Sequence, residues 1–270
     1  MKQWYNRTMD TTPLIESRIV ADPAVISDFV SHLPDLGENE VYFLSLSARN
    51  KYLNNDEREF FSLGQTEMFS RQIAIDRDGI ALALNRMKGD LESKRTRNGK
   101  EIPNRSLVVY MNIHAMSTLK AYGTFVAEMN RHQIEVIHSL LNGNTPNLTA
   151  FLRMNTRLMN HIQKATGTKV YLDIDIDAPK DLARSICESI QEPLLYRGIP
   201  HLVINSRGGY HVLVKTAELK IHKDFQLFKV IETLNNEAGK NGGEVVFNNN
   251  AMVPMPGTYQ AGHLVTFEAY

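Results

Sequence analysis

The chain is predicted to be an α+β protein built from two coupled subdomains. A mixed α/β N-terminal part spans residues 1–145, and a second sheet with helices spans residues 146–270. Three observations predict this. At 270 residues the chain exceeds one minimal domain. Short runs rich in β-branched and aromatic residues alternate with amphipathic stretches. In the last third the elements follow the order β-α-β-β-α-β.

In the N-terminal part, Pro23 sets the start of a short helix over Asp22–His32. Val41–Ala48 and Leu107–Asn112 read as strands. Asn55–Phe61 and Ile73–Asn85 carry helical apolar spacing. Lys88 to Arg105, with Gly89, Gly99 and Pro103, reads as a mobile basic connection. Ser117 to Leu141 is a long amphipathic helix closed by Asn142-Gly143-Asn144, and Thr149–Thr166 is another.

The last third supplies strand Lys169–Ile176, helix Pro179–Gln191, strands His201–Ser206 and Tyr210–Lys215, helix Lys223–Ala238 and a strand opening at Glu244. The turn Arg207-Gly208-Gly209 makes the two middle strands a hairpin. This order is the ferredoxin-like, RNA-recognition-like (RRM-like) arrangement.

Composition excludes several classes. Thirty Lys+Arg balance 30 Asp+Glu, so wholesale electrostatic coating of nucleic acid is not expected. A single cysteine, Cys187, leaves no internal disulfide, zinc ribbon or Cys-rich cluster. No apolar run approaches the roughly 20 residues of a membrane span, and no apolar segment follows the first residues as in a signal peptide. The expectation is a cytoplasmic protein with no membrane partner.

The acidic run Leu172-Asp173-Ile174-Asp175-Ile176-Asp177 carries the clearest chemistry. Alternation puts the aspartates on one face of a strand and the isoleucines on the other. Aspartate is depleted in strands and like charges repel, so a bound Mg²⁺ or Mn²⁺ would offset the cost. Asp173 and Asp175 are the expected metal ligands; Asp177 is either a third or a helix cap. The plain alternative is an exposed edge strand with solvated aspartates. In either reading Asp173 and Asp175 lie on the solvent side, so replacing one by alanine is expected to leave the fold intact.

The second signal is Ser206-Arg207-Gly208-Gly209-Tyr210-His211. Glycines expose backbone N–H groups to a phosphate, and Ser206, Arg207 and His211 add a hydroxyl, a guanidinium and an imidazole. The alternative is an ordinary Gly-Gly hairpin with a structural histidine. Glu244 is read either as a third carboxylate beside Asp173 and Asp175 or as a solvated residue at a strand start. A carboxylate cluster that works on nucleic acid needs positive charge nearby. On charge alone Lys88, Lys94, Arg95, Arg97 and Lys100 read as a solvated surface loop. A family resemblance that implies a template would make them, with Arg49 and Lys51, the contacts to template phosphates.

These pieces, in this order, resemble the archaeo-eukaryotic primase superfamily, the small primase subunits and primase-polymerases of plasmids, phages and mobile elements. The resemblance rests on Leu172-Asp173-Ile174-Asp175, then Ser206 to His211, then Glu244 ahead of Pro256-Gly257-Thr258, and covers residues 165–265. The chain departs from the family at Met252–Met255, where arginines often stand, and lacks a zinc-binding stem. The resemblance implies a DNA primase or primase-polymerase, performing template-directed nucleotidyl transfer by a two-metal mechanism in replication of a mobile element, phage or plasmid. Asp173, Asp175 and Glu244 would hold two Mg²⁺ or Mn²⁺ ions, and Ser206, Arg207, Gly208, Gly209 and His211 would grip an NTP or dNTP. A single-stranded DNA template and a separate replicative helicase are the implied partners. Two alternatives stay open: a non-catalytic single-stranded DNA or nucleotide-binding module on a degenerate primase fold, and a metal-dependent nucleotide phosphohydrolase.

Overall fold

Two antiparallel sheets, with helices on their outer faces, organise the chain. The computed structural model describes residues 19–94, 96–97, 99–222, 225–248 and 252–270, with side chains described except over 92–98. The first sheet runs in the order His263–Leu264, Tyr259–Gln260, Leu107–Asn112, Glu40–Arg49, Thr66–Ala74, with Met252–Pro254 also on Leu107–Asn112 and Met116–Ser117 on Glu40–Arg49. The second runs Glu244–Phe247, Tyr171–Asp177, Gly209–Lys215, His201–Asn205, Thr266–Ala269.

Alternation along Glu40–Arg49 decides what each face of the first sheet meets. Leu44, Leu46 and Ala48 enter a core with Phe29 of helix Pro23–Ser31 and with Ile80, Ala83, Leu84, Met87 and Leu91 of helix Gly79–Lys94. On the other face, Val41 and Phe43 pack with Met116, Ala121 and Ile162, under helices Thr118–Leu141 and Met154–Lys164. Further along that same face, Ser45, Ser47 and Arg49 line a cleft instead.

The second sheet is two-sided in another sense. Its back, through Ile174, Ile176, Val212 and Val214, buries against helices Lys180–Tyr196 and Leu227–Lys240. Fully burying each such side chain contributes about 1.5–3 kcal/mol. Its front carries Tyr171, Leu202, Ile204 and Leu213, which join the core of the first sheet. The front therefore docks at one end of the acidic strand and opens at the other.

The end of the chain ties the halves together. Met252–Pro254 and Tyr259–Leu264 return to the first sheet, and Thr266–Ala269 then adds to the second. Gly257 (φ 79°) makes this return possible: a Cβ there would lie 2.6 Å from the Asp22 carbonyl oxygen. Ala21 and Asp22 N–H both donate to the Gly257 carbonyl, next to the Asp22 cap of the first helix. Residues 149–164 also pack with the N-terminal elements, so no single cut at 145 separates the two sheets' contents.

Several segments differ from the sequence expectation. The helix expected over Lys223–Ala238 is Leu227–Lys240, with Lys223 outside the described residues, and a short helix, Thr216–Ile221, precedes it. Three further differences lie earlier in the chain. Ile73 lies in a strand, Thr66–Ala74, and the helix begins only at Gly79. Pairing with Glu40–Arg49 draws this segment into the sheet, although Ile73, Ile80 and Leu84 share helix-like spacing. The same helix runs on to Lys94 through residues expected in a loop, because Met87 and Leu91 continue its buried stripe. The expected helix Thr149–Thr166 is two helices, Thr149–Leu152 and Met154–Lys164, separated at Arg153 (φ −112°, ψ 26°).

Candidate active site

The acidic strand runs from the docked end of the sheet out to solvent, and its three aspartates grade accordingly. The Asp173 side chain is 0% exposed, that of Asp175 38% and that of Asp177 61%. Cross-strand register puts His211 directly opposite Asp175, and Leu213 opposite Asp173. All four share the front face, so the strand and hairpin singled out in the sequence meet on one surface.

Asp173 is engaged on both oxygens. His211 Nδ1 lies 3.1 Å from Oδ1, and the Asn248 side-chain amide donates to Oδ2 at 2.8 Å. A carboxylate only accepts, so the ring proton belongs on Nδ1 and the other nitrogen, Nε2, faces Asp175 at 3.7 Å. Burial disfavours the imidazolium, but the charge and hydrogen bond of Asp173, then Asp175 and Asp177, outweigh it and raise His211 to about 8. Burial raises the Asp175 pKa; Asp173 and Asp177 add to the rise, while His211 and Lys51 oppose it.

These groups open into a cleft of about 680 Å³ between the two sheets. Asp175, Asp177, His211, Ser206, Gly208 and Asn248 line one wall. Ser45, Ser47, Arg49, Lys51 and Tyr110 line the other, with Gln163, Lys164 and Thr166 at its side. Lys51 Nζ stands 3.4 Å from Asp177 Oδ2, so a cation already bridges the walls. Arg49 donates to the Tyr110 hydroxyl, and burial pushes that phenol up to about 12. Among the described residues the Ser45 and Ser47 hydroxyls and Arg49 Nε are buried without a hydrogen-bond partner, an arrangement uncommon in folded proteins.

The hairpin is built by close approach. A Cβ on Gly209 (φ 155°) would sit 1.8 Å from the Ile176 carbonyl oxygen, so only glycine fits against the acidic strand. Ser206 N–H and hydroxyl both donate to the Gly209 carbonyl. Arg207 turns away from the cleft lining: its N–H donates to Gln260, its guanidinium donates to the Ala261 carbonyl and lies over the Tyr52 ring at 4.7 Å. The guanidinium therefore braces the hairpin on the returning C-terminal segment.

Glu244 pairs with Asp177 at the open end of the strand and is exposed. Val246 is opposite Asp175, and beyond it Asn248 reaches Asp173 through both its backbone N–H and its side chain. The place beside Asp173 on this strand thus belongs to an amide, Asn248, that the sequence pattern does not single out. Among the described residues no group of three or more His, Cys, Asp or Glu is arranged to hold a metal ion. Asp175 and Asp177 together, open to the cleft, fit the smaller donor set that Mg²⁺ uses when phosphate and water complete its shell.

The basic segment divides. Lys94, Arg95 and Arg97 lie outside the described side chains. Lys88 is exposed on helix Gly79–Lys94, which covers the face of the first sheet away from Ser45 and Ser47. Lys100 stands over the Phe60 ring at 4.5 Å, and Arg105 pairs with Glu57. None of these three described side chains lines the cleft, whereas Arg49 and Lys51 do. Sequence reasoning passes over Lys164, although a signal for it exists. No Asp or Glu occurs between Glu135 and Asp173, while Arg153, Arg157, Lys164 and Lys169 do.

Compared with models of known protein families, with curated proteins and with solved structures, the chain matches none.

Proposed function

We propose that the cleft is a nucleotidyl-transfer site of the primase-polymerase class, working on an NTP or dNTP against a single-stranded DNA template. The observation that carries this reading is the facing of Asp175, Asp177 and His211 across one cleft from Arg49 and Lys51. Carboxylates opposite cations beside a Gly-Gly turn suit a polyphosphate that arrives with a divalent cation. The strand order of the second sheet, antiparallel throughout with two helices behind it, supports the RRM-like arrangement. The resemblance to the primase superfamily supplies the template and the role in replication of a mobile element, phage or plasmid.

Asp175 and Asp177 would hold Mg²⁺ or Mn²⁺, and the ion would supply charge neutralisation on a transferring phosphoryl group and a lower pKa for an attacking hydroxyl. The residues of the chain orient the rest. Asp173 holds the His211 ring with Nε2 toward the cleft. His211 and the Gly208 N–H then receive phosphate oxygens, the Ser206 hydroxyl joins them by turning away from the Gly209 carbonyl, and Lys51 moves from Asp177 to the polyphosphate. Asp173 in this reading supports the histidine, and Glu244 stays in solvent.

A second reading, nucleotide binding without polymerisation, is favoured by the engagement of both Asp173 oxygens, which leaves two open carboxylates in place of three. One experiment separates them. Primer-free single-stranded DNA is incubated with labelled nucleotides and Mn²⁺, and Mn²⁺ affinity is measured by electron paramagnetic resonance. The wild-type chain is expected to make template-dependent product, and Asp175→Asn with Asp177→Asn to lose both product and Mn²⁺. Nucleotide binding without product leaves the second reading; Mn²⁺ affinity unchanged in the double variant refutes the cation site.

A further inference from the structure

We propose that the helix Met154–Lys164 and the residue before it form a track for the sugar-phosphate backbone of single-stranded nucleic acid, leading into the cleft. Resting on the reading of the cleft as a template-directed site, it adds a surface which that reading lacks.

A second polar pocket of about 310 Å³ lies on this helix, lined by Arg153, Thr156, Arg157, Asn160, His161 and Lys164, with Glu128. Positions 153, 157, 160, 161 and 164 fall on one stripe of a helix. The stripe is roughly 16 Å long at 1.5 Å per residue. Lys164 lines both this pocket and the main cleft, so the two adjoin at one side chain.

The charge on the stripe is uncompensated at its ends. Arg153 and Lys164 are exposed and form no ion pair among the described residues. In the middle, Glu128, the one carboxylate among the described lining residues, is already occupied by Arg157, His161 and His132. Arg71, from the strand Thr66–Ala74, reaches over to Asn160 and the Thr156 carbonyl, adding a further cation at the rim. No acidic residue lies anywhere between Glu135 and Asp173. In a chain of zero formal charge, that is a long stretch from which carboxylates are missing.

The chemistry fits a phosphodiester backbone better than a free polyphosphate. The cations are spaced along the helix, they are interleaved with neutral donors at Thr156 and Asn160, and they continue toward the carboxylate wall. A strand laid along the stripe places its phosphates on these cations and leads toward the cleft at Lys164. Lys88 and Lys100, by contrast, are not part of this surface.

The test measures binding of a fluorescent single-stranded oligonucleotide by anisotropy, without nucleotide, across a salt series. The variant Arg153→Glu with Lys164→Glu changes two side chains that form no ion pair among the described residues, so the fold is expected to persist and is checked by circular dichroism. Affinity is expected to fall at least tenfold at low salt. The salt slope is expected to flatten by about 0.7 for each phosphate no longer neutralised. The reversal Lys88→Glu with Lys100→Glu is expected to bind as wild type does. Unchanged affinity in the first variant, or an equal loss in the second, overturns the track. Wild-type protein that binds Mn²⁺ and nucleotide but no oligonucleotide also overturns it, while leaving the nucleotide site standing. Binding through these residues without Mn²⁺ or nucleotide affinity supports the track and refutes the polymerase reading instead.

Discussion

Replacing Asp173 by alanine should remove much of the margin that keeps this protein native, whereas the same change at Asp175 should not. The Asp173 carboxylate is fully buried and accepts from His211 at one oxygen and from Asn248 at the other. Hydrogen bonds to a charged group contribute about 1.5–3 kcal/mol each, so losing two costs roughly 3–6 kcal/mol. An independent route, removal of one member of a buried pair, gives about 3–5 kcal/mol. The two agree, and both are large against a typical total of about 5–15 kcal/mol. Asp175 is partly open to water, and its contact with His211 is 3.7 Å. Such a pair contributes about 1 kcal/mol or less. The assay is urea unfolding at neutral pH, followed by fluorescence and circular dichroism, with the m-value checked for constancy. The Asp173→Asn variant should fall between, because an amide can accept from only one of the two donors. Equal, small losses for Asp173→Ala and Asp175→Ala would refute the reasoning. They would return Asp173 to the solvated status that the sequence suggests for the whole acidic run.

Two further outcomes follow from the packing. Gly209→Ala should destabilise the hairpin by several kcal/mol or prevent folding, since the added Cβ would meet the Ile176 carbonyl at 1.8 Å; near-wild-type thermal stability would contradict the close approach. His114 is buried near Lys169 and Asp173, and burial, then Lys169, lower its pKa from 6.5 to about 4. Its folded pKa is depressed, so stability is full above pH 6.5 and declines as pH falls toward 4. The variant His114→Asn should show a shallower loss of urea midpoint between about pH 6.5 and 4.5 than wild type does, and parallel curves would remove His114 as a source of acid lability.

Much of the frame was legible from residues alone. Asp22-Pro23 marks a helix start because aspartate accepts from free N–H groups and proline is preset for the first turn. Strand Tyr171–Asp177 and hairpin His201–Lys215 are local statements of alternation and turn chemistry, and they stand where expected. That Asp173, Asp175 and His211 share a face follows from a period of two once the strands pair. Periodicity failed where two elements share a spacing: Ile73 reads with Ile80 and Leu84, and only pairing with Glu40–Arg49 makes its segment a strand.

Tertiary structure alone decided how deep each acid lies. Asp173, Asp175 and Asp177 are equivalent in the sequence pattern. They differ because the second sheet docks on the first through Tyr171, Leu202, Ile204 and Leu213, which buries one end of the acidic strand and leaves the other wet. Docking also chose Asn248 over Glu244 as the neighbour of Asp173, since register depends on where the last strand enters the sheet. It set Lys88 behind the first sheet and Lys164 at the cleft, a choice no local count of charges makes. Local rules act over a turn or a strand, so they name the chemistry a segment carries. Burial and partnership come from surfaces meeting across long separations in the chain, as Lys51 meets Asp177.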